Sequence, residues 1–213
     1  MAESGKSGPT RSVADEARRL EDLWGGTFGD EYIARNTRAG DVRAPFWRSI
    51  SAEFPASRVL EVGCNVGGNL RWLAEALPRG GAVGIDVSHP ALVELAARAP
   101  ALAIRSVARA LPFRDAAFDL VFTMGVLIHQ PEQTLRDVMS EIVRCARRWV
   151  LCGEYHASAT TEVPYRGQEG ALFKRDYGAL YQRLFPQLRL CRRWFFGRDV
   201  GWDDVSIWMF EKR

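Results

Sequence analysis

The feature that most constrains the fold is a short apolar strand that runs into a glycine-rich turn. The apolar residues of the segment Val59–Val62 suit a buried parallel strand, and residues 63–68 (Gly-Cys-Asn-Val-Gly-Gly) let the backbone turn tightly into a helix. Because Gly63 has no Cβ, a bound cofactor can lie directly against its main chain. A second apolar strand ends about 20 residues later at Asp86, whose carboxylate can accept hydrogen bonds from ribose hydroxyls. The two features together predict a βαβ unit that binds a nucleoside-containing cofactor.

Beyond this unit the sequence alternates between strand-like and helix-like periods. Strands are predicted at 59–62, 82–86, 102–107, 118–123 and 149–155, with helices between them at 67–77, 90–99 and 131–146. Such alternation predicts an α/β fold, in which helices cover both faces of a mostly parallel sheet and ligands bind at the carboxyl ends of the strands. Two more strand-like runs, 187–196 and 205–210, close the chain. A terminal pair added to a parallel sheet resembles the seven-stranded, Rossmann-like class I methyltransferases, whose last strand is antiparallel, rather than the dinucleotide dehydrogenases.

The expected organisation is one globular domain, because 213 residues with 47% hydrophobic content supply ample material for a core. Within it we distinguish five parts. These are a disordered tail at 1–11, an N-terminal helical lid at 12–56, a cofactor-binding core at 57–155, a substrate-side insertion at 156–186, and the terminal strands at 187–213.

Composition makes several classes of function improbable. A formal net charge of +3 is too small to argue for nucleic acid, and no run of about 18 apolar residues predicts a membrane span. The N-terminus has no apolar core of a secretory signal, and the four cysteines show no CxxC spacing that would indicate zinc or a disulfide framework. The late cluster of cations and aromatics at 189–198 resembles a nucleic-acid surface, but alternate strand residues face opposite sides. We therefore expect a cytoplasmic monomer or homodimer that acts on a small molecule and holds no metal.

The choice of cofactor depends on Glu61, which stands at the strand end just before the glycine turn. The pyrophosphate of NAD favours backbone N–H donors at that place and would be repelled by a carboxylate. S-adenosylmethionine has a sulfonium cation and an α-amino group instead, and both are compatible with a nearby acid. Little chain remains for the second half of a dehydrogenase. The sequence therefore favours S-adenosylmethionine.

The run from Arg58 to about His129, which includes the pattern Leu-Pro-Phe-Arg-Asp-Ala-Ala-Phe-Asp-Leu-Val at 111–121, resembles the cofactor-binding half of the class I S-adenosylmethionine-dependent methyltransferases. The resemblance implies that the loop 61–67 holds the methionine part of the cofactor and that the segment 124–129 borders the methyl group. It implies the following cofactor-binding residues: Glu61, Gly63, Cys64 and Asn65 for the methionine part, Asp86 for the ribose, Ser106 and Val107 for the adenine, and Met124 near the methyl group.

A narrower resemblance covers nearly the whole chain after the tail. The motifs at 24–36, 63–67, 125–129, 154–156, 163–167 and 172–176 are similar to the pseudaminic acid biosynthesis-associated methylase family. Asn65 stands where the stricter pattern has a glycine, and this resemblance explains it as a family trait. The family name reports a genomic association, so it does not name the substrate.

His129 is the leading candidate for a general base. Methyl transfer is an in-line displacement, so the protein mainly supplies alignment and desolvation, and a base is needed only where the nucleophile stays protonated until it reacts. His129 follows the fourth strand, and its ordinary pKa of about 6.5 suits proton removal at neutral pH. The alternative is a histidine that caps the following helix or shapes the pocket.

Glu154, Tyr155 and His156 stand where the fifth strand is predicted to end. Strand alternation would place Glu154 and His156 on one face and Tyr155 on the other. We expect a catalytic role for Glu154, as a base or as the ligand of a substrate cation, with His156 assisting it and Tyr155 contacting the substrate. Polar residues that merely end a strand at solvent are the alternative.

The polar insertion and the N-terminal helices supply further candidates. In the insertion, Tyr165, Arg166 and Lys174 are expected to bind substrate, because Arg166 or Lys174 would grip a carboxylate or phosphate if the segment folds over the pocket. A solvated loop is the alternative.

Tyr32, Arg35 and Asn36 are spaced i, i+3 and i+4 on a short helix and share a face. We expect this helix to form a lid whose Tyr32 and Arg35 contact the cofactor carboxylate. Packing by Tyr32, with an exposed ion pair at Arg35, is the alternative.

The sequence thus predicts methyl transfer from S-adenosylmethionine to an oxygen or nitrogen of a small polar biosynthetic intermediate, such as a sugar or an amino-acid-like or guanidine-like precursor. A hydroxyl acceptor would favour His129 as base, and an amine would favour acidic contacts such as Glu154. A non-catalytic subunit that binds S-adenosylmethionine and supports a partner enzyme is an alternative of another class. An NAD-dependent oxidoreductase is disfavoured by Glu61 and by the lack of a Tyr-x-x-x-Lys pair after the fourth strand.

Overall fold

The computed structural model describes residues 12–36 and 41–213, without the side chains at positions 30, 34–36 and 41. The predicted tail at 1–11 lies outside the described residues. The helices are α1 (Val13–Gly25), α2 (Thr27–Asn36), α3 (Ala44–Glu53), α4 (Leu70–Ala74), α5 (His89–Arg98), α6 (Glu132–Cys145) and α7 (Tyr177–Leu184).

Seven strands form one twisted sheet, and two very short strands form a separate pair. The strands are β1 (Val59–Val62), β2 (Ala82–Asp86), β3 (Leu102–Arg105), β4 (Phe118–Met124), β5 (Ala146–Tyr155), β6 (Thr161–Glu162), β7 (Phe173–Lys174), β8 (Leu188–Phe196) and β9 (Val205–Lys212). The sheet order is β3-β2-β1-β4-β5-β9-β8, and β6 pairs with β7. Strands β1 to β5 are parallel to one another, whereas β9 is antiparallel to both of its neighbours. The predicted fold class is confirmed.

Apolar side chains cover the sheet on both faces, as expected for parallel strands without an exposed face. On one face, Trp47 of α3 packs against Phe122 of β4, with ring centroids 4.8 Å apart. On the other face, Tyr181 of α7 lies 5.3 Å from Phe210 of β9. All four residues of β1 are buried. These contacts belong to two apolar layers of the core, one on each face of the sheet.

Two helix boundaries show how local chemistry sets the elements. Ser88 caps α5, because its side chain accepts a hydrogen bond from the amide of Ala91, and Pro90 lies in the first turn. The helix predicted at 67–77 is shorter, since α4 begins only at Leu70. Its start is delayed because Gly67 has a left-handed backbone, with φ of +75°, and residues 65–69 form consecutive turns.

Gly84, in the middle of β2, lets two other elements approach the sheet closely. A Cβ at this position would lie 2.7 Å from Cδ2 of Leu95 on α5 and 2.8 Å from Sγ of Cys64 in the glycine turn. The absence of a side chain at Gly84 therefore brings the turn and the helix against the same point of the strand.

We predict that Gly84→Ala lowers the free energy of unfolding by about 1–3 kcal/mol, because the added methyl group overpacks a core that has no room for it. Urea denaturation followed by circular dichroism measures the change. Gly68→Ala is the matched control, because a Cβ there meets no atom within 4 Å. Equal stability of the two variants would contradict the close packing at Gly84.

Candidate active site

A cavity of about 240 Å³ lies at the carboxyl ends of β1, β2, β4 and β5, with side chains of α1 and α2 on its opposite wall. This is the edge of the sheet where an α/β fold binds its ligands. Most of the predicted cofactor-binding residues line it. They are Tyr32, Glu61, Gly63, Cys64, Asn65, Asp86, Ser106 and Met124.

The glycine turn at the end of β1 owes its shape to left-handed backbone at Gly63, Asn65 and Gly67, with φ of +72°, +48° and +75°. Asparagine tolerates this conformation better than other residues with a Cβ, which explains why Asn65 can replace a glycine here. Gly63 also allows close packing, since a Cβ would lie 2.5 Å from Cγ2 of Val126. The turn is therefore pressed against the segment that follows β4.

Asp86, at the end of β2, fastens the same turn from its other side. Its carboxylate accepts hydrogen bonds from the amide of Asn65 at 2.8 Å and from the amide of Ser88 at 2.9 Å. Burial raises the pKa of Asp86 above its ordinary value of 3.8, although the two amide donors oppose the shift. The carboxylate lines the cavity and is only half-buried, so it can accept further hydrogen bonds from a ligand.

Glu61 is a buried carboxyl group, 1% exposed, that belongs to a chain of hydrogen bonds. It accepts from the side-chain amide of Asn69 at 3.1 Å and from the backbone amide of Leu70 at 3.0 Å. The oxygen of Asn69 in turn accepts from Arg43 at 3.1 Å and from Trp47 Nε1 at 3.4 Å. Burial raises the pKa of Glu61 to about 8, so the carboxyl group is mostly protonated at neutral pH.

His129 lines the cavity at the end of a 3₁₀ turn (Leu127–His129) that follows β4. Its Nδ1 lies 2.6 Å from the carbonyl oxygen of Ala171. Because a carbonyl can only accept, Nδ1 carries the proton and Nε2 is left with a free lone pair in the neutral ring. Burial lowers the pKa of His129 to about 4, so the ring is neutral at physiological pH.

Aromatic rings from the N-terminal helices pack over His129. The ring of Trp24 lies 4.4 Å from that of His129, and it also contacts Phe28 at 5.2 Å and Tyr32 at 5.4 Å. Tyr165 of the insertion approaches His129 at 5.4 Å. This cluster closes the end of the cavity next to the predicted methyl position.

An ion pair also holds α1, about one turn before Trp24. Arg109, in the loop after β3, donates to Glu21 through Nε at 2.6 Å and through Nη2 at 3.3 Å. Both residues line the cavity. The pair therefore joins α1 to the strand ends across the opening.

Glu154 does not line the cavity. It is 0% exposed and accepts hydrogen bonds from the amides of Val126 at 3.2 Å, Leu127 at 3.1 Å and Ile128 at 3.1 Å. Burial raises its pKa to about 7. This placement argues against the predicted role as base or substrate ligand, because both oxygens face backbone amides. Glu154 instead positions the segment that carries His129.

The structure gives Glu154 and His156 different surroundings. Tyr155 and His156 both line a second, more open cleft of about 680 Å³, and Glu154 does not. β5 ends at Tyr155, so His156 lies just beyond the strand. His156 lies 3.7 Å from Asp176.

The predicted substrate-binding residues divide between the two spaces. Tyr155 and Tyr165 line both the cavity and the cleft, whereas Lys174 lines only the cleft. Arg166 lines neither, because its exposed guanidinium lies over the ring of Tyr165 at 5.7 Å.

The remaining predicted cofactor-binding residues are Arg35, Asn36 and Val107. Val107 does not line the cavity, and the side chains of Arg35 and Asn36 lie outside the described residues. The cavity also contains residues that were not predicted, among them Trp24, Arg43, Asn69 and Asp203. Trp24 carried a signal, since it opens the motif at 24–36, and Asn69 directly follows the glycine turn. Arg43 and Asp203 reach the cavity from segments that no local pattern connects to it.

Two further properties hold for the part of the chain that is described. No group of three or more His, Cys, Asp or Glu side chains there is placed to hold a metal ion. None of its helices is both long and apolar enough to cross a membrane.

Residues 59–148 match a family model whose description is a methyltransferase domain. The segment runs from the start of β1 into β5 and contains the glycine turn, Asp86 and His129. This part of the chain is similar to methyltransferase domains. The predicted enzyme class is thereby confirmed for the core of the sheet, while the narrower resemblance to the pseudaminic acid-associated family stays a prediction. The sequence has no significant match among curated proteins.

Solved methyltransferases share this fold over almost the whole chain. The 1,6-didemethyltoxoflavin-N1-methyltransferase of Burkholderia thailandensis, solved with 1,6-didemethyltoxoflavin and S-adenosylhomocysteine, is 17% identical, with a TM-score of 0.74 over 97% of this chain and 92% of that one. The magnesium protoporphyrin IX methyltransferase of Synechocystis PCC 6803, solved with S-adenosylmethionine, is 16% identical, with a TM-score of 0.68 over 96% and 100%. At such identity the likeness concerns the fold.

We predict that Glu154→Gln lowers the free energy of unfolding by about 1–3 kcal/mol, because the amide group replaces one acceptor oxygen and leaves a buried N–H without a partner. Glu75→Gln, at an exposed position, serves as the control. The folded chain keeps the Glu154 proton up to about pH 7, whereas the unfolded chain releases it near 4.5. The free energy of unfolding of the wild type therefore falls as the pH rises from about 4.5 to about 7, and its excess over that of Glu154→Gln narrows. Urea titrations at several pH values measure this difference in stability. A difference that does not change with pH would contradict the raised pKa of Glu154.

Proposed function

We propose that this protein transfers a methyl group from S-adenosylmethionine to an oxygen or nitrogen of a small polar acceptor. The observation that carries the proposal is the convergence of three features on one cavity. They are the glycine turn after β1, the carboxylate of Asp86 after β2 and the neutral His129 after β4. Both solved methyltransferases described above hold S-adenosylmethionine or its demethylated product.

The lining fits a nucleoside that bears a cationic amino-acid tail. Asp86 can accept from ribose hydroxyls, and Glu61 offers a carboxyl group whose ionisation a cation would favour. Two buried polar atoms of the lining, Asn65 Oδ1 and Trp24 Nε1, have no hydrogen-bond partner among the described residues. One accepts and the other donates, so a polar ligand could satisfy both.

S-adenosylmethionine, when bound, supplies a methyl group on a good leaving group. The protein must then align the acceptor, exclude water and take up the proton that the acceptor loses. His129 is suited to the last task, because its Nδ1–H bond to Ala171 fixes the ring and leaves Nε2 as the basic atom. The aromatic rings of Trp24, Tyr32 and Tyr165 exclude water around it. In this proposal α1 and α2 form the lid of the site.

Isothermal calorimetry tests the cofactor assignment. We predict that S-adenosylmethionine and S-adenosylhomocysteine bind and that NAD does not. At pH 7 the binding of S-adenosylmethionine should release a proton, because a cation beside Glu61 lowers a pKa that is about 8 in the free protein. Titrations in buffers of different ionisation enthalpy count this proton, and Glu61→Gln should abolish its release. If NAD binds and S-adenosylmethionine does not, the proposal is refuted. If the Glu61→Gln variant releases the same number of protons as the wild type, only the role assigned to Glu61 is refuted.

The role of His129 is tested by His129→Gln with whichever acceptor shows a methyl mass gain in a panel of sugar and amino-acid intermediates. We predict a fall in kcat of about 10²–10⁴-fold, the usual contribution of a general base, with the affinity for S-adenosylmethionine changed less than about twofold. Because the pKa of His129 is about 4, kcat/KM of the wild type should stay level down to about pH 5. His89→Gln, at an exposed position outside the cavity and the cleft, is the control. An unchanged kcat, or an acid limb near pH 6.5, would rule out His129 as the base.

A further inference from the structure

The second cleft adjoins the active-site cavity. Tyr155, Tyr165, Leu172 and Asp203 line both spaces and form the wall between them. An acceptor whose reacting atom approaches His129 would therefore extend its remaining atoms past this wall and into the cleft.

The cleft has more cations than its acids can pair. Its acidic side chains, Asp203 and Asp204, already have basic partners, since Asp203 lies 4.0 Å from Arg43 and Asp204 lies 3.1 Å from Arg198. Lys174 and Arg193 also line the cleft, and neither forms an ion pair with an acid among the described residues. Their described contacts are with aromatic rings, Lys174 with Tyr155 at 5.9 Å and Arg193 with Trp208 at 5.5 Å.

Other arginines of β8, unlike Arg193, do have acidic partners. Arg189 pairs with Glu211 at 2.6 Å, and Arg192 pairs with Glu53. A bulge between Leu190 and Arg192 shifts the register, so that Arg193 and not Arg192 lies opposite Trp208. Bulges re-aim side chains, and this one turns the unpaired arginine to the cleft.

Hydrogen bonds anchor Arg175, the residue that follows Lys174. Arg175, which is 2% exposed, donates to the carbonyl oxygen of Gln130 at 2.9 Å and to the hydroxyl of Tyr177 at 3.3 Å. Gln130 directly follows His129, so the short strand β7 is joined to the segment that carries the proposed base. The backbone at Lys174 is therefore anchored beside the segment that carries His129.

We propose that the methyl acceptor bears an anionic group, a carboxylate or a phosphate, and that Lys174 and Arg193 bind this group in the cleft. The inference rests on the proposed function, because it concerns the acceptor of that same reaction. Arginine and lysine are the usual ligands of such anions, and the unpaired state of both residues means that binding breaks no existing ion pair. Lys174 and Arg193 would thus select charged acceptors over neutral ones.

The test is an NMR titration of the isotope-labelled full chain. Inorganic phosphate and acetate are the probes, in separate series at constant ionic strength, so that the two series distinguish a phosphate site from a carboxylate site. We expect saturable shifts of the amides around Lys174 and Arg193 with at least one probe. The double variant Lys174→Gln/Arg193→Gln should raise the apparent Kd at least about tenfold, which corresponds to about 1.4 kcal/mol.

Arg192→Gln is the matched control, because it removes a neighbouring arginine of the same strand that lies outside the cleft. Its Kd should stay within about twofold of the wild-type value. Absence of saturable shifts with both probes, or equal binding by the double variant, would overturn the proposal. Calorimetry of the wild type with S-adenosylmethionine is done separately, so failure of cofactor binding would count against the proposed function and failure of anion binding only against the cleft.

Discussion

The active site depends on one buried carboxyl group. Glu154 stands at the end of β5 and accepts hydrogen bonds from three consecutive backbone amides after β4. The first amides of a helical turn have no partner within the turn, and here Leu127 and Ile128 are buried. Glu154 satisfies them and joins two strand ends into one unit. The position of His129, at the end of that turn, follows from this connection.

The positions of the strands along the chain could be predicted because each one is coded locally. β1 and β2 have the bounds that their apolar runs indicate, since buried parallel strands contain little else. β5 begins three residues earlier than predicted, at Ala146, because Arg147 and Arg148 point to solvent and hide its start. Their charges are paired across the sheet, with Asp119 and Glu211. Such long-range partners are invisible in a local pattern.

The same distinction applies to the site. Asp86 and the glycine turn were predictable, because the residues that shape them are close in sequence or follow neighbouring strands. Arg43 and Asp203 reach the cavity from opposite ends of the chain, and only the folded structure brings them within 4.0 Å. Glu154 shows most clearly which part of the site the sequence could not predict. Its position at a strand end was expected, but the direction of its carboxyl group is decided by unsatisfied amides on another loop.

Charge is distributed unevenly along the combined cavity and cleft. The cofactor end holds two carboxyl groups, Glu61 and Asp86, and the outer cleft holds the unpaired cations Lys174 and Arg193. In the proposed reaction a cationic cofactor binds at the acidic end, and its positive charge is lost from that end when the methyl group leaves. An anionic acceptor is held at the basic end, where Asp203 and Asp204 are already paired with arginines. The two ligands are thus ordered by charge before they react.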